Sequence, residues 1–250
     1  MAGKIWRYDC YDLRKFKPGD IDYVLDIGSN VGSVALMAKV LYPTARIIAI
    51  EPILKTFEIL KTNMFQWRKC GIECYNIALG NGSPMSIHER GGQAGGMNRC
   101  YSDKEKSWWK EGSYTVESKT LGQMFRDYKI DISKPYMIKI DCEGGERFLL
   151  QDEFREESLK LIRGSIQTAM EIHMGLGGNK DQWNLFIEAL KETHNFKIGS
   201  WKDKGTINRR YSFDLFNRMD YNRGMVMVEF VKKEFDIKKN ESEKQEAVLC

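Results

Sequence analysis

The run Ile138-Lys139-Ile140-Asp141-Cys142-Glu143-Gly144-Gly145-Glu146 places one lysine and three carboxylates at the end of an apolar stretch. If this stretch is a strand, its period of two sends Lys139, Asp141 and Glu143 to one face and Ile138, Ile140 and Cys142 to the other. A central parallel strand is covered on both faces, so charges there are costly unless they are paired. Lys139 and Asp141, about 6–7 Å apart along one face by the strand rise, therefore read as parts of a polar site. Met170-Glu171-Ile172-His173 repeats the pattern, with Glu171 and His173 sharing a face. Histidine is the most frequent general base. Ligands of open α/β sheets bind at the carboxyl ends of strands, where Asp141 lies, so His173 is expected to remove a proton there, with Lys139 as a charged companion. Glu146 fits either this group or the start of a helix, where an acid satisfies free N–H groups. Asp141, Glu171 and His173 also make an oxygen and nitrogen set able to take a divalent metal. His88 and His194 lack such neighbours and read as surface residues.

A second constellation lies upstream, in Asp26-Ile27-Gly28-Ser29-Asn30-Val31-Gly32. Glycines between a strand and a helix let the backbone turn tightly and approach a ligand at the helix N-terminus. Glu51, at the end of the next strand, is placed to take both ribose hydroxyls of a nucleoside. A dinucleotide fingerprint needs glycine where Asn30 stands, so that the backbone can approach a pyrophosphate. Asp26 would repel that pyrophosphate. S-adenosylmethionine fits better, because it has adenosine, no phosphate, and an ammonium group that favours a nearby carboxylate.

These residues need strands to carry them. Apolar runs of strand length occur at Tyr23–Ile27, Arg46–Ile50, Ile72–Leu79, Tyr136–Cys142, Ile166–His173, Phe196–Trp201 and Met225–Val231. Helical patterns occupy Val31–Leu41, Thr56–Lys69, Glu146–Glu156 and Asp181–Glu192. The alternation predicts βαβ units, a mostly parallel sheet and a single domain over residues 1–231. Residues 89–113 and 202–223 interrupt it with glycine pairs, charges and aromatics, and read as acceptor-binding loops. They hold Trp108, Trp109, Tyr211, Phe213 and the arginines 209, 210, 218 and 223. The charged tail 232–250 reads as flexible.

Composition bounds the classes. The 250 residues are 42% hydrophobic and 30% charged, enough for a sizeable core. No apolar stretch reaches the ~20 residues of a membrane helix. Six cysteines are too few for a disulfide scaffold, and the start MAGKIWRYDC lacks the apolar region of a signal peptide, so a cytoplasmic setting is expected. Cys70 and Cys74 lack the second pair of a zinc site. The net charge of +4 is mild and demands no nucleic-acid partner.

Three stretches together resemble the FkbM family of S-adenosylmethionine-dependent methyltransferases: VLDIGSNVGSVALMAK with IIAIEP (24–52), CYNIALGN (74–81), and MIKIDCEGGERFLL with MEIH (137–173). The resemblance implies an α/β fold, a Rossmann-like, mostly parallel seven-stranded sheet with an antiparallel final strand and helices on both faces. It implies transfer of a methyl group to a hydroxyl of a saccharide or other small molecule. Asp26, Gly28, Ser29, Asn30 and Glu51 then match cofactor positions, Pro52 and Asn76 to Ala78 border the adenine, and Asp141 is the acid beside the methyl group. Three rivals compete. An RNA ribose methyltransferase would want a second lysine where this chain has Glu171 and His173. A non-catalytic adenosine-binding module could replace the buried charges by apolar residues at lower cost. A nicotinamide oxidoreductase is disfavoured by Asn30.

Overall fold

A computed structural model describes residues 6–7, 9–88, 99–101, 114–173, 180–199 and 225–235. Seven strands build the central sheet: β1 (Tyr23–Ile27), β2 (Arg46–Ile50), β3 (Ile72–Tyr75), β9 (Tyr136–Ile140), β10 (Gln167–His173), β11 (His194–Gly199) and β12 (Met225–Lys232). Their order is β11-β12-β10-β9-β1-β2-β3. The pairs β3/β2, β2/β1, β1/β9 and β9/β10 are parallel, whereas β12 runs antiparallel to both β10 and β11. The expected antiparallel final strand is present, inserted between β10 and β11. Two small sheets lie apart from it. One pairs β4 (Ala78–Leu79) with β8 (Ser118–Lys119); the other orders β6 (Arg99–Tyr101), β5 (Met85–His88) and β7 (Tyr114–Val116).

Strand periodicity sorts the apolar residues onto two faces. Val24, Ile47, Ala49, Met137 and Ala169 pack with α1 (Ser33–Leu41) and α2 (Leu54–Met64) in one cluster. Leu25, Ile48, Ile138, Met170 and Val228 pack in the other with α3 (Leu121–Asp127), α4 (Asp152–Gly164) and α5 (Lys180–Leu190). Helix α5 shows the arrangement plainly: Trp183, Phe186, Ile187 and Leu190 recur at helical spacing and are all buried. Each face of the sheet thus has its own core and its own helices. Asp26, Lys139, Asp141, Glu171 and His173 all alternate onto the α1/α2 face.

The elements depart from the sequence reading where a local signal beat periodicity. The apolar run 72–79 is two strands, because the chain leaves the main sheet after Tyr75 and Ala78 pairs with Ser118 instead. The helix expected at Glu146–Glu156 is a 3-10 turn, Gly145–Leu150, then a break at extended Gln151, then α4 with Asp152 and Glu153 in its first turn. The helix expected to reach Lys69 ends at Met64 and continues as a 3-10 turn to Cys70, closed by Gly71 at φ +91°. Helix α3 had no counterpart in the sequence reading. Its start carries a capping box in which Thr120 and Gln123 satisfy each other's backbone N–H groups. Of the two interrupting segments only residues 99–101 are described. Trp108, Trp109, Tyr211, Phe213, the four arginines between 209 and 223, and nearly all of the 232–250 tail lie outside the described residues.

Candidate active site

The glycine loop is built by close approach of two strand ends. Gly28 has φ +78°, and a Cβ there would sit 1.8 Å from the Asp141 carbonyl oxygen. Only glycine lets the β1 end and the β9 end touch in this way. The Asp141 N–H donates to the Ile27 carbonyl at 3.0 Å, while the N–H groups of Gly28 and Ser29 donate to the Ile50 carbonyl at 2.9 and 2.8 Å. The Ser29 hydroxyl donates to the Asp26 carbonyl at 2.7 Å and accepts from the Ile50 N–H at 3.0 Å. Its side chain is thereby a cross-tie between β1 and β2.

Asn30 lies in the left-handed region at φ +52°, which turns its N–H onto Glu51 Oε2 at 2.9 Å. Glu51 Oε1 accepts from the Ile53 N–H at 2.9 Å. Each oxygen keeps a further lone pair for a ligand hydroxyl. Burial pushes the Glu51 carboxyl up to about 7, against the pull of these two backbone bonds. Asn76 Nδ2 donates to the carbonyls of Glu51 and Pro52 at 2.9 and 3.0 Å, so its amide fixes the turn that carries the acid. Ala78 is buried in a satellite cluster with Ile53, Met85 and Phe148, on the β3 side of that turn.

Lys139 is the centre of the next layer. Register places it opposite Asp26 across β1/β9, and its Nζ lies 3.2 Å from Asp26 Oδ1 and 3.9 Å from Asp141 Oδ2. It also donates to the carbonyls of Gly28 at 2.6 Å and Ile27 at 3.2 Å. Burial alone would lower its pKa, but Asp26 and Asp141 outweigh burial and hold the ammonium above its ordinary value. Asp26 is fully buried, so its charge acts through Lys139 on the glycine loop. Asp141 Oδ2 accepts a further bond, at 2.8 Å, from the hydroxyl of Tyr11. Tyr11 is itself anchored through its carbonyl by Gln167 Nε2 at 2.9 Å.

His173 ends β10 beside this layer. Glu146 Oε1 accepts both from its backbone N–H at 2.7 Å and from its Nδ1 at 3.0 Å, and Glu146 Oε2 accepts from the Gly144 N–H at 3.0 Å. Nε2 stands 3.4 Å from Glu143 Oε2 and 3.9 Å from Glu171 Oε1. Burial would lower the His173 pKa, yet Glu146, Glu143 and Asp141 together push it up to about 9. The same pair holds the Glu146 carboxyl below its usual range despite burial. Burial, aided by Asp141, pushes Glu171 up to about 8. With these neighbours alone, the His173 ring keeps its proton at neutral pH and is charged rather than basic. Proton removal by His173, as expected from its residue type, would require a neutral ring.

Strand register thus brings Asp26, Lys139 and Asp141 together, and β10 adds Glu171 and His173. Glu146 does both things the sequence left open: it accepts from the Gly144 N–H at the start of the 3-10 turn and it fixes the His173 ring. Residue type and spacing missed two features. Tyr11 comes from a segment without periodicity. His194 is a correction: it is buried at 1% exposure, its Nε2 bonded to the Ser165 carbonyl at 3.0 Å and its Nδ1 to the Thr193 hydroxyl at 2.9 Å. It ties β11 to the start of β10. The side chain of His88 lies outside the described residues.

Several known proteins are similar to this chain in fold or in sequence. The solved structures it matches include a precorrin-6y C5,15-methyltransferase from Geobacter metallireducens GS-15 (TM-score 0.43, 11% identity, covering 88% of this chain and 85% of that one). Another is TrmK of M. capricolum in complex with S-adenosyl-homocysteine (TM-score 0.40, 12% identity, 88% and 66%). Among sequence relatives, Methyltransferase sdnD of Sordaria araneosa is 25% identical over 226 residues, covering 78% of this chain and 80% of the relative. Methyltransferase 1 of Beauveria bassiana is 24% identical over 155 residues, covering 57% of this chain and 61% of the relative's own length. The seven-stranded sheet with one inserted antiparallel strand is the class I methyltransferase fold, and the protein is a methyltransferase enzyme. The model of the methyltransferase FkbM domain matches residues 26–198, and the chain belongs to that family.

Proposed function

We propose that this protein transfers the methyl group of S-adenosylmethionine to a hydroxyl of a saccharide or sugar-containing small molecule. The observation that carries this reading is the carboxylate layer beside the Gly28 loop, where oxygens of Asp141 and Glu143 and a ring nitrogen of His173 lie within 4.8 Å of one another. Carboxylates accept hydrogen bonds from neutral hydroxyls and repel phosphates, which favours a polyol over an RNA backbone. Glu51 takes the ribose hydroxyls, Pro52, Asn76 and Ala78 border the adenine, and the Gly28–Asn30 backbone faces the methionine end. Lys139 holds that loop and Asp141 in one arrangement. The acceptor oxygen attacks the methyl carbon, the O–C bond forms as the C–S bond breaks, and S-adenosylhomocysteine leaves uncharged. Alignment of oxygen, carbon and sulfur supplies most of the acceleration. Asp141, at the reaction centre, receives the hydroxyl proton and passes it to solvent. Trp108, Trp109, Tyr211 and Phe213 are assigned to the acceptor on sequence grounds.

Labelled S-adenosylmethionine offered with glycosides, nucleotide-sugars and RNA tests the reading. Label on the glycosides supports it, and label on RNA alone overturns it. Calorimetry of Glu51→Ala checks the donor site: losing a charge-assisted bond should weaken cofactor binding by about ten- to a hundredfold.

A further inference from the structure

The one buried donor of the site without a hydrogen bond is the Nε2 of His173. The residue is 4% exposed, and this atom has no hydrogen-bond partner among the described residues. Glu146, as a carboxylate, only accepts, so the nitrogen facing it, Nδ1, carries a proton. With its protein neighbours alone the ring is charged and Nε2 carries the second proton, 3.4 Å from Glu143 Oε2, with Asp141 completing a group whose ligand atoms all lie within 4.8 Å. His173 is buried whereas Asp141 and Glu143 are half-buried, so the group is reached from solvent on its carboxylate side. A divalent cation that displaces the Nε2 proton takes the lone pair so freed and supplies, between the same two carboxylates, the positive charge that the imidazolium otherwise supplies.

We infer that Asp141, Glu143 and His173 form a binding site for a divalent cation, with Glu146 as the carboxylate that orients the histidine. The arrangement reproduces a recurrent feature of metal centres, in which a ligating histidine donates its other ring N–H to a carboxylate. Two oxygens and one imidazole nitrogen suit Mn²⁺, Fe²⁺ or Zn²⁺, and the 3.4 Å separation of Nε2 and Oε2 matches adjacent ligands on one ion. The sequence suggested Glu171 as the third ligand; the structure puts Glu143 there, because Glu143 at φ +51° turns back toward the end of β10. Resting on the proposed methyl transfer, the inference gives the ion a task. It would bind the acceptor oxygen, lower the hydroxyl pKa and orient a neighbouring hydroxyl of a sugar diol. His173 then acts as a ligand.

The test uses the full chain, stripped with a chelator and desalted, and titrated with Mn²⁺ by calorimetry and electron paramagnetic resonance without cofactor. One ion per chain is expected. Affinity should fall at least tenfold in Glu143→Gln and His173→Gln, and by about ten- to a hundredfold in Glu146→Gln. Melting curves establish that each variant is folded. A second readout needs no folded variant at all: the chain has three histidines, and Mn²⁺ should broaden the ring resonances of a single one in ¹⁵N-histidine-labelled wild type. Failure of the wild type to bind Mn²⁺ or Zn²⁺, binding unchanged in the variants, or broadening of none or all of the histidines would overturn the inference. Binding of S-adenosylmethionine is measured separately on the stripped protein. If it binds while Mn²⁺ does not, only the cation site falls; if Mn²⁺ binds while it does not, the proposed function falls.

Discussion

Replacing Lys139 by methionine keeps most of the side-chain volume and removes the charge. Four partners are affected at once: the carboxylates of Asp26 and Asp141, and the carbonyls of Gly28 and Ile27. Asp26 is 0% exposed, so its carboxylate would be left in the interior with no cation. Breaking a buried pair from one side costs about 3–5 kcal/mol, because an uncompensated charge remains. For a chain of this size each kcal/mol lowers Tm by about 2–4 °C, which puts the melting shift near 6–20 °C. The double variant Asp26→Asn/Lys139→Met removes both charges and should recover part of that loss, since an intact buried pair also carries a desolvation cost. Urea denaturation of the wild type, both single variants and the double variant closes the cycle. A loss below about 1 kcal/mol in Lys139→Met, or a double variant no more stable than that single one, would refute the clamp. Loss of cofactor binding should accompany the lost stability, because the same ammonium holds the Gly28 carbonyl.

Two further outcomes follow from the same geometry. Gly28→Ala drives a Cβ to 1.8 Å from the Asp141 carbonyl and should abolish cofactor binding in calorimetry. Gly19→Ala, at φ +93° with no atom within 4 Å of its Cβ, should cost only the left-handed strain of about 1–2 kcal/mol. The third concerns Glu229, whose carboxyl burial and nearby Asp12 push up to about 7. The folded chain then binds more protons than the unfolded chain between pH 4.5 and 7, so this group lowers stability as pH rises through that window and levels off above it. Glu229→Gln should remove that slope, gaining about 1–3 kcal/mol on the wild type between pH 5 and pH 8 in thermal melts; parallel profiles would refute it.

The sheet was legible because its strands are short, apolar and buried on both faces. Tyr23–Ile27 and Arg46–Ile50 match their expected limits residue for residue. The polar layer was legible for the same reason: Lys139, Asp141 and His173 interrupt runs that would otherwise be apolar, and such charges must be paired. Elements set by capping or by satellite pairing were harder to see. Helix α3 is a seven-residue element whose signal is the Thr120–Gln123 box rather than a periodic stripe. Ala78 leaves the main sheet because Ser118, forty positions later, offers it a ladder. Glu146 carries ordinary helix-start chemistry in sequence, and only the return of β10 alongside reveals its bond to His173. His194 shows the converse. A histidine without polar neighbours in sequence can be buried when a backbone carbonyl and an adjacent hydroxyl satisfy both of its ring nitrogens.

Tyr11 gives the site an unusual dependence on chain order. Its hydroxyl reaches Asp141 across 130 positions, its carbonyl is held by Gln167 across 156, and Gln167 Nε2 bonds Glu229 Oε1 at 2.9 Å across another 62. A strand near the far end of the chain therefore braces a residue near its beginning, which in turn holds the carboxylate at the centre. Contacts of such sequence separation pay their loop-closure entropy before they return any stabilisation, and they form slowly. On the ribosome the glycine loop and β9 can dock early, but the brace waits for β12. A partly synthesised chain holds the pieces of the site without the geometry.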